Sequence, residues 1–285
     1  MVDVGVFLAS GGTSDIYRLG NDAVVKIPRI GVPAHWARFE ADLTAAVHKT
    51  GLPVPSARDI VRIGARDCVV LDYVEGPSMW ERMQDDGASV VPLARLLASI
   101  QTDIRATIAP VGVPDLHDRL LAKINDVPHL SAAGRADAEA MLGELPRERT
   151  LYHGDLHPGN VLMTPDGPVV IDWFDTAAGS GTADMVRTSL LIRPSGDPAA
   201  VTPHLPGATV RTLRLAHETF LANTLGNVNA DAAELAAWEA LQALARRSER
   251  AQQDDSGLRD LWDGRRTTSP TRLSARLAPH SVSSA

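Results

Sequence analysis

Cysteine is almost absent from this chain, with one residue, Cys68, among 285. A single thiol excludes an intrachain disulfide framework and a multi-cysteine zinc site. Its setting, Cys68-Val69-Val70-Leu71, is that of a small buried hydrophobe. Aromatic residues are scarce too, at 4%, and the apolar mass is mainly Ala, Val and Leu. That favours a helix-rich fold over a β-sandwich, which carries more Tyr, Phe and Thr. No stretch approaches the roughly 18 apolar residues of a membrane span, and Met1–Ser10 lacks a basic region followed by an apolar core. No membrane association and a cytoplasmic location are therefore expected. Positive charge is not in excess either, since the net charge is −7. Residues 1–74 are neutral, with eight groups of each sign, whereas residues 75–264 hold 16 basic and 27 acidic side chains. A nucleic-acid partner would call for the opposite sign, so none is expected. The acidic second part suits a cationic small molecule, and equally a solubility surface.

What is present is length enough for two lobes around a cleft, 285 residues at 44% hydrophobic content. The first lobe, residues 1–74, reads as strand, strand, strand, helix, strand, strand. Strands are expected at Val4–Leu8, Asp15–Leu19, Ala23–Ile27, Ile60–Ile63 and Cys68–Tyr73, with turn signals at Ser10-Gly11-Gly12-Thr13 and Gly20-Asn21-Asp22. Ala34–Lys49 has helical spacing, with Trp36, Phe39, Leu43 and Val47 on one face. The second lobe, residues 75–264, is mainly helical. Helices are expected at Pro92–Ala106, Ala132–Leu142, Ala183–Ile192, Val210–Leu225 and Ala230–Gln252, and a short apolar strand at Pro168–Asp172. Residues 265–285, rich in Ser, Thr, Arg and Pro, have no apolar period and read as a disordered tail. The fold class is α+β and bilobal.

Four pieces in a fixed order carry chemistry. In the turn Gly11-Gly12-Thr13, glycine lets backbone amides approach phosphates, although a Gly-Gly hairpin turn is common on its own. Lys26 sits among apolar strand residues and faces either solvent or a cleft. In a cleft, Glu40 of the following helix could aim its ammonium at the α- and β-phosphates of a nucleotide. The third piece is the most specific: His153-Gly154-Asp155-Leu156-His157-Pro158-Gly159-Asn160 places an Asp and an Asn five residues apart on a Pro-Gly loop. Asp155 can accept a hydrogen bond from an attacking hydroxyl and take its proton late, while Asn160 offers magnesium a neutral oxygen. The fourth is Val169-Val170-Ile171-Asp172-Trp173, where Asp172, seventeen residues after Asp155, gives the metal a charged ligand.

Together these residues resemble the aminoglycoside phosphotransferase and choline kinase group of kinase-like enzymes, over roughly Gly5–Ile192. The resemblance implies a protein-kinase-like fold with ATP or GTP between the lobes and Mg²⁺ as cofactor. It makes Asp155 the catalytic aspartate, Asn160 and Asp172 the metal ligands, Lys26 the phosphate contact and Glu40 its partner. It also implies an interlobe hinge at Asp72, Tyr73 and Val74 that reads the base edge, and gives His153 and Asp184 a structural role. Three departures from protein kinases narrow the class. His157 stands where a protein kinase has lysine, Trp173 replaces the Phe-Gly pair after Asp172, and eleven residues separate Asp172 from Asp184. That path leaves no room for a long activation loop, so a small hydroxylated acceptor is expected instead of a protein. The acceptor expected first is an aminoglycoside or another antibiotic, with amino sugars and amino alcohols as the alternative. A catalytically silent binding module is disfavoured because none of the four pieces is missing. A monomer or a homodimer is compatible with the sequence. Asp175 reads either as part of the acceptor pocket or as a solvated loop residue.

Overall fold

The computed structural model describes residues 4–194, 205, 207, 209–249 and 256–264. The chain begins with a five-stranded antiparallel sheet. Its strands are β1 (Phe7–Ser10), β2 (Ser14–Leu19), β3 (Ala23–Pro28), β4 (Ala57–Ile63) and β5 (Arg66–Asp72), in the order β1-β2-β3-β5-β4, with helix α1 (His35–His48) inserted between β3 and β4. Alternation along β3 decides where Lys26 points. Ala23, Val25 and Ile27 bury one face with Cys68 and Val70, while Val24, Val69 and Leu71 pack with Ala41 of α1 on the other. Lys26, opposite Ile16 and Val69, shares that second face. The helix presents Ala37, Glu40, Ala41, Leu43, Thr44 and Val47 as its buried side, so Glu40 meets the sheet while Asp42 stays exposed.

The rest of the chain is mostly helical. Its elements are α2 (Met79–Asp85), α3 (Val90–Ala106), α4 (Leu116–Asn125), α5 (Ala132–Gly143), β6 (Thr150–Tyr152), β7 (Val161–Thr164), β8 (Gly167–Val170), β9 (Ala177–Gly179), α6 (Gly181–Ile192), α7 (Val210–Thr224), α8 (Ala232–Glu249) and α9 (Ser256–Gly264). One large core joins them, centred on Trp80, Leu97, Leu151, Trp173, Phe220 and Trp238. Val47 of α1 and Val54 also enter this core, so packing crosses the boundary drawn at residue 74.

Two small hairpin-like pairings position the loops of interest. Strand β6 pairs with β9 and β7 with β8, both antiparallel. The segment 153–160 lies between β6 and β7, and 171–176 lies between β8 and β9. The paired strands therefore bring these two loops side by side.

Several expectations need correction. The strand expected to end in Asp172 stops at Val170. Asp172 lies two residues beyond it with φ of +64°, because the chain must turn sharply there to reach β9. Helices α2, α4 and α9 were not expected. For α4 the signal is plain, with Leu116, Leu120 and Ile124 on one face behind the Asp115 cap. For α2 a seven-residue helix is too short to show a period, and its capping box between Ser78 and Glu81 is the legible mark. The expected tail after Gly264, and residues 250–252 of the last expected long helix, lie outside the described residues.

Gly76, at the passage from sheet to helices, has φ of +155°, and a Cβ there would overlap the Met163 carbonyl. Gly76→Ala should therefore cost about 2–4 kcal/mol of stability from backbone strain and overlap together. Denaturant unfolding of the variant checks this, and an unchanged midpoint would contradict it.

Candidate active site

The segment 153–160 folds around Gly154, whose φ is +83°. A side chain there would stand 2.6 Å from the Tyr152 ring and 2.8 Å from Asp175, so only glycine fits without displacement. Both polar atoms of Gly154 are engaged: its N–H donates to Asp184 Oδ1 and its carbonyl accepts from Arg187 Nε, each at 2.9 Å. Asp155 follows at once. Its N–H donates to His153 Nδ1 at 3.1 Å, so the other ring nitrogen carries the proton and gives it to Ile171 O at 3.2 Å. His153 is neutral, since burial pushes it down to about 4.

Pro158–Asn160 make a single tight turn capped by His157, whose Nδ1 accepts from Gly159 N–H at 3.0 Å. That turn aims Asn160 back at Asp155. Its amide nitrogen donates to Asp155 O at 2.9 Å and to Asp155 Oδ2 at 3.1 Å. Asn160 Oδ1 is then the atom left for another partner. Asn160 O also accepts from Ile171 N–H at 3.0 Å, which ties this loop to the one carrying Asp172. Asp172 holds its left-handed conformation because its neighbour is pinned. Trp173 is 1% exposed, donates Nε1–H to Val170 O at 2.9 Å and lies 4.4 Å, ring to ring, from His153. The strain of a non-glycine residue at positive φ is about 1–3 kcal/mol, and burying an indole offsets it.

Lys26 closes the arrangement. Its ammonium pairs with Glu40 of α1 and, at 3.1 Å, with Asp172 Oδ1. Burial works against its charge, but Asp172 and Glu40 outweigh that penalty and hold its pKa above the usual lysine value. The Asp172 side chain is 42% exposed, so one of its edges faces open space. Asn160 Oδ1 and the Asp172 carboxylate are hard oxygen donors, as magnesium requires. Mg²⁺ is bound by one or two such side chains with phosphate oxygens and water completing its shell. The donor set fits. Among the described residues no group of three or more His, Cys, Asp or Glu could hold a metal by itself.

The structure thus brings Lys26, Glu40 and Asp172 into contact, and Asp155 with Asn160. The glycine turn borders the same cavity through Thr13, beside Ser14, Lys26, Glu40 and Phe174. Its detail differs from expectation. Gly11 N–H is already given to Ser14 O at 2.8 Å and is not free for a phosphate. Ser10, Asp15 and Arg29 tie the base of the turn, and Thr13 O accepts from Arg29 N–H. Neither Gly11 nor Gly12 has a positive φ. At the expected hinge, Asp72 N–H donates to Ser56 O and Tyr73 N–H to Asp22 O, which leaves the Val74 N–H uncommitted among the described residues. The Asp72 carboxylate binds Arg58 and Ser56 N–H, and the Tyr73 ring lies under the Arg18 guanidinium.

Asp175 is not a freely solvated loop residue. Arg119 and Lys123 of α4 hold its two oxygens at 2.8 and 2.9 Å. The sequence reading also missed an aromatic bridge: Trp36 and Phe39 of α1 meet Phe174 at 4.7 and 5.5 Å between ring centroids. The aromatic pair Trp173-Phe174 between Asp172 and Asp175 was the available signal. For Arg187 and Glu249 no sequence signal existed.

Residues 5–194 match the model of a family described as the phosphotransferase enzyme family. Nothing among curated proteins matches. Solved structures do. The chain is similar to an aminoglycoside-3'-phosphotransferase of type VIII at 18% identity and a TM-score of 0.61, over 86% of this chain and 93% of that one. It is similar to a choline/ethanolamine kinase family protein from Mesorhizobium loti at 15% identity and a TM-score of 0.56, over 95% and 90% of the chains. A streptomycin–ATP–APH(2")-IIa ternary complex is similar at 16% identity and a TM-score of 0.53, over 91% and 93%.

Burial acts on two neighbours of Gly154 in opposite senses. It lowers His153 from 6.5 to about 4 and raises Asp184 from 3.8 to about 6. The stability due to a neutral His153 is complete above pH 6.5 and is lost as the pH falls towards 4. Ionising Asp184 weakens folding as the pH rises from 3.8 through 6. Between pH 4 and 6 the two slopes offset. Asp184→Asn should leave the His153 slope alone, so its stability should fall by about 3 kcal/mol more than wild type between pH 6.5 and 4. Denaturant unfolding across that range checks it, and parallel curves would contradict it.

Proposed function

The chain belongs to the phosphotransferase enzyme family, and from that premise we propose that it moves the γ-phosphoryl group of ATP or GTP to a hydroxyl of a small antibiotic, an aminoglycoside first among the candidates. Family membership itself makes it a kinase with an alcohol acceptor. The donor, the metal, the residue roles and the acceptor class are our reading.

In this reading the acceptor hydroxyl donates to the Asp155 carboxylate, which points its oxygen at the γ-phosphorus. A new bond forms between that oxygen and phosphorus as the bond to the β–γ bridging oxygen breaks, and the hydroxyl proton passes late to Asp155. Asn160 fixes Asp155 through its two hydrogen bonds, and Lys26 binds the α- and β-phosphates with Glu40 holding it in place. Asn160 Oδ1 and Asp172 would hold Mg²⁺, which neutralises charge on the β- and γ-phosphates when bound. Val74 N–H is the hinge group offered to the base. The observation that carries the proposal is the contact of Lys26 with Asp172, made while Asn160 orients Asp155 on the adjoining loop.

The antibiotic acceptor is supported by the likeness to an aminoglycoside-3'-phosphotransferase and to a streptomycin–ATP–APH(2")-IIa complex, and by the acidic charge of residues 75–264. Antibiotic resistance and a cytoplasmic site of action follow from it as parts of the proposal. The likeness to a choline/ethanolamine kinase family protein supports the second reading, an amino alcohol or amino sugar acceptor. Among the described residues no helix is long and apolar enough to cross a membrane.

The test is an acceptor screen by mass, seeking the ~80 Da of an added phosphoryl group, with aminoglycosides, other antibiotics, amino sugars and amino alcohols as the panel. An antibiotic product supports the first reading and a phosphorylated amino alcohol replaces it with the second. Asp155→Ala should lose at least ~10²-fold in kcat while still binding Mg-nucleotide. Near-wild-type turnover in that variant would show that Asp155 is not the proton acceptor.

A further inference from the structure

The peptide that leads into Asp155 is gripped by one face of α6. Asp184 takes the Gly154 N–H and Arg187, one turn later, donates Nε–H to the Gly154 carbonyl. Arg187 is 2% exposed, and its charge is met by Glu249 at 2.7 Å, the last residue of α8. Glu249 takes two further cations, Lys123 at 2.8 Å and Arg246 at 3.5 Å. Lys123 continues to Asp175, and Asp175 takes Arg119 as well. The charges alternate along this chain, and both of its ends return to Gly154. Arg187 bonds its carbonyl, and Asp175 packs on its α-carbon.

A guanidinium is a planar fork with fixed donor directions. With Nε committed to Gly154 O and a terminal nitrogen to Glu249, its plane has no freedom left. The plane of the 154–155 peptide then has none either, because its N-terminal neighbour is held by Asp184. Without the Glu249 carboxylate, Arg187 would be a buried cation short of its counter-charge. It would then turn towards Asp155 or Asp175, whose charges also act on it, and release the carbonyl.

We propose that Glu249 is a positioning residue for phosphoryl transfer, acting through Arg187 on the peptide that aims the Asp155 carboxylate. This rests on reading Asp155 as the group that takes the acceptor proton. Lys26 and Asp172 make no hydrogen bond or ion pair with Glu249, Arg187, Lys123 or Asp175; their ion pairs are with each other and with Glu40. Glu249 therefore governs the chemical step and leaves nucleotide binding alone.

The test is steady-state kinetics on the full chain with an acceptor found in the screen, or with Mg-ATP hydrolysis if water is the acceptor measured. Glu249→Gln should lower kcat about tenfold while KM for the nucleotide stays within about twofold. Arg187→Met should do the same, and the double variant should be no slower than the slower single one, because both act on one peptide. Glu249→Asp, which keeps the charge, should recover part of the loss. Backbone amide exchange over residues 152–158 should rise in Glu249→Gln while that of β3 is unchanged. If Glu249→Gln does not fold, Glu249→Asp decides, with a kcat loss at constant nucleotide KM as the expected result. Turnover within twofold of wild type, or a parallel loss of nucleotide binding, would overturn the proposal. Asp155→Ala run beside these variants separates the two claims. If it remains active the base assignment fails, whereas if it is inactive and Glu249→Gln is not impaired, only the positioning role fails.

Discussion

Lys26 is the polar point at which the two parts of the molecule meet, beside the apolar contacts of Val47 and Val54. It is a buried cation that reaches one carboxylate on its own sheet-and-helix unit, Glu40, and another on the loop after β8, Asp172. A buried ammonium with one poorly placed partner would be a liability, since desolvation costs several kcal/mol. With two carboxylates it stays charged, and its position fixes the distance between α1 and the Asp172 loop. The aromatic bridge of Trp36 and Phe39 with Phe174 packs beside the same joint and adds an apolar contact to the ionic one. In the proposed reaction the arrangement has a second consequence. Asp172 is shared between Lys26 and an open edge, so nucleotide and metal would enter a site whose charges are already in register.

The same economy governs the loop carrying Asp155. Its direction is set by one local hydrogen bond, Asn160 to Asp155, and by bonds to elements distant in the chain: His153 to the backbone of the Asp172 loop, and Asp184 and Arg187 to Gly154. The pairing of β6 with β9 and β7 with β8 makes those partners neighbours. In the proposed reaction a loop so held needs little reorganisation to orient a hydroxyl, and positioning of this kind is one of the two main contributions a protein makes to phosphoryl transfer.

Much of this was legible in the residues, for identifiable reasons. The strands and helix of the first lobe show plainly in alternation and turn residues, and the facing of Lys26 follows from the period of two once Ala23, Val25 and Ile27 are recognised as core. The Asp155–Asn160 spacing is local, so the loop reads directly. Long-range pairings do not read in the same way. Asp175 looked like a free acid because its cations, Arg119 and Lys123, lie more than fifty residues away on α4. Arg187 carries no local signal, because its two partners are 33 residues before it and 62 after it. The glycine turn misled for a different reason: Gly11-Gly12 suggested free amides, whereas the hairpin uses the first of them itself.

The central claim is that Lys26 and Asp172 form one nucleotide site in which Asp172 serves the metal as well as the lysine. Titration of wild type and Asp172→Asn with ATP, in the presence and absence of magnesium, tests it most directly. The account predicts that magnesium tightens ATP binding to wild type by at least about tenfold, or ~1.4 kcal/mol, and that Asp172→Asn loses this gain. Equal tightening by magnesium in both proteins would contradict it.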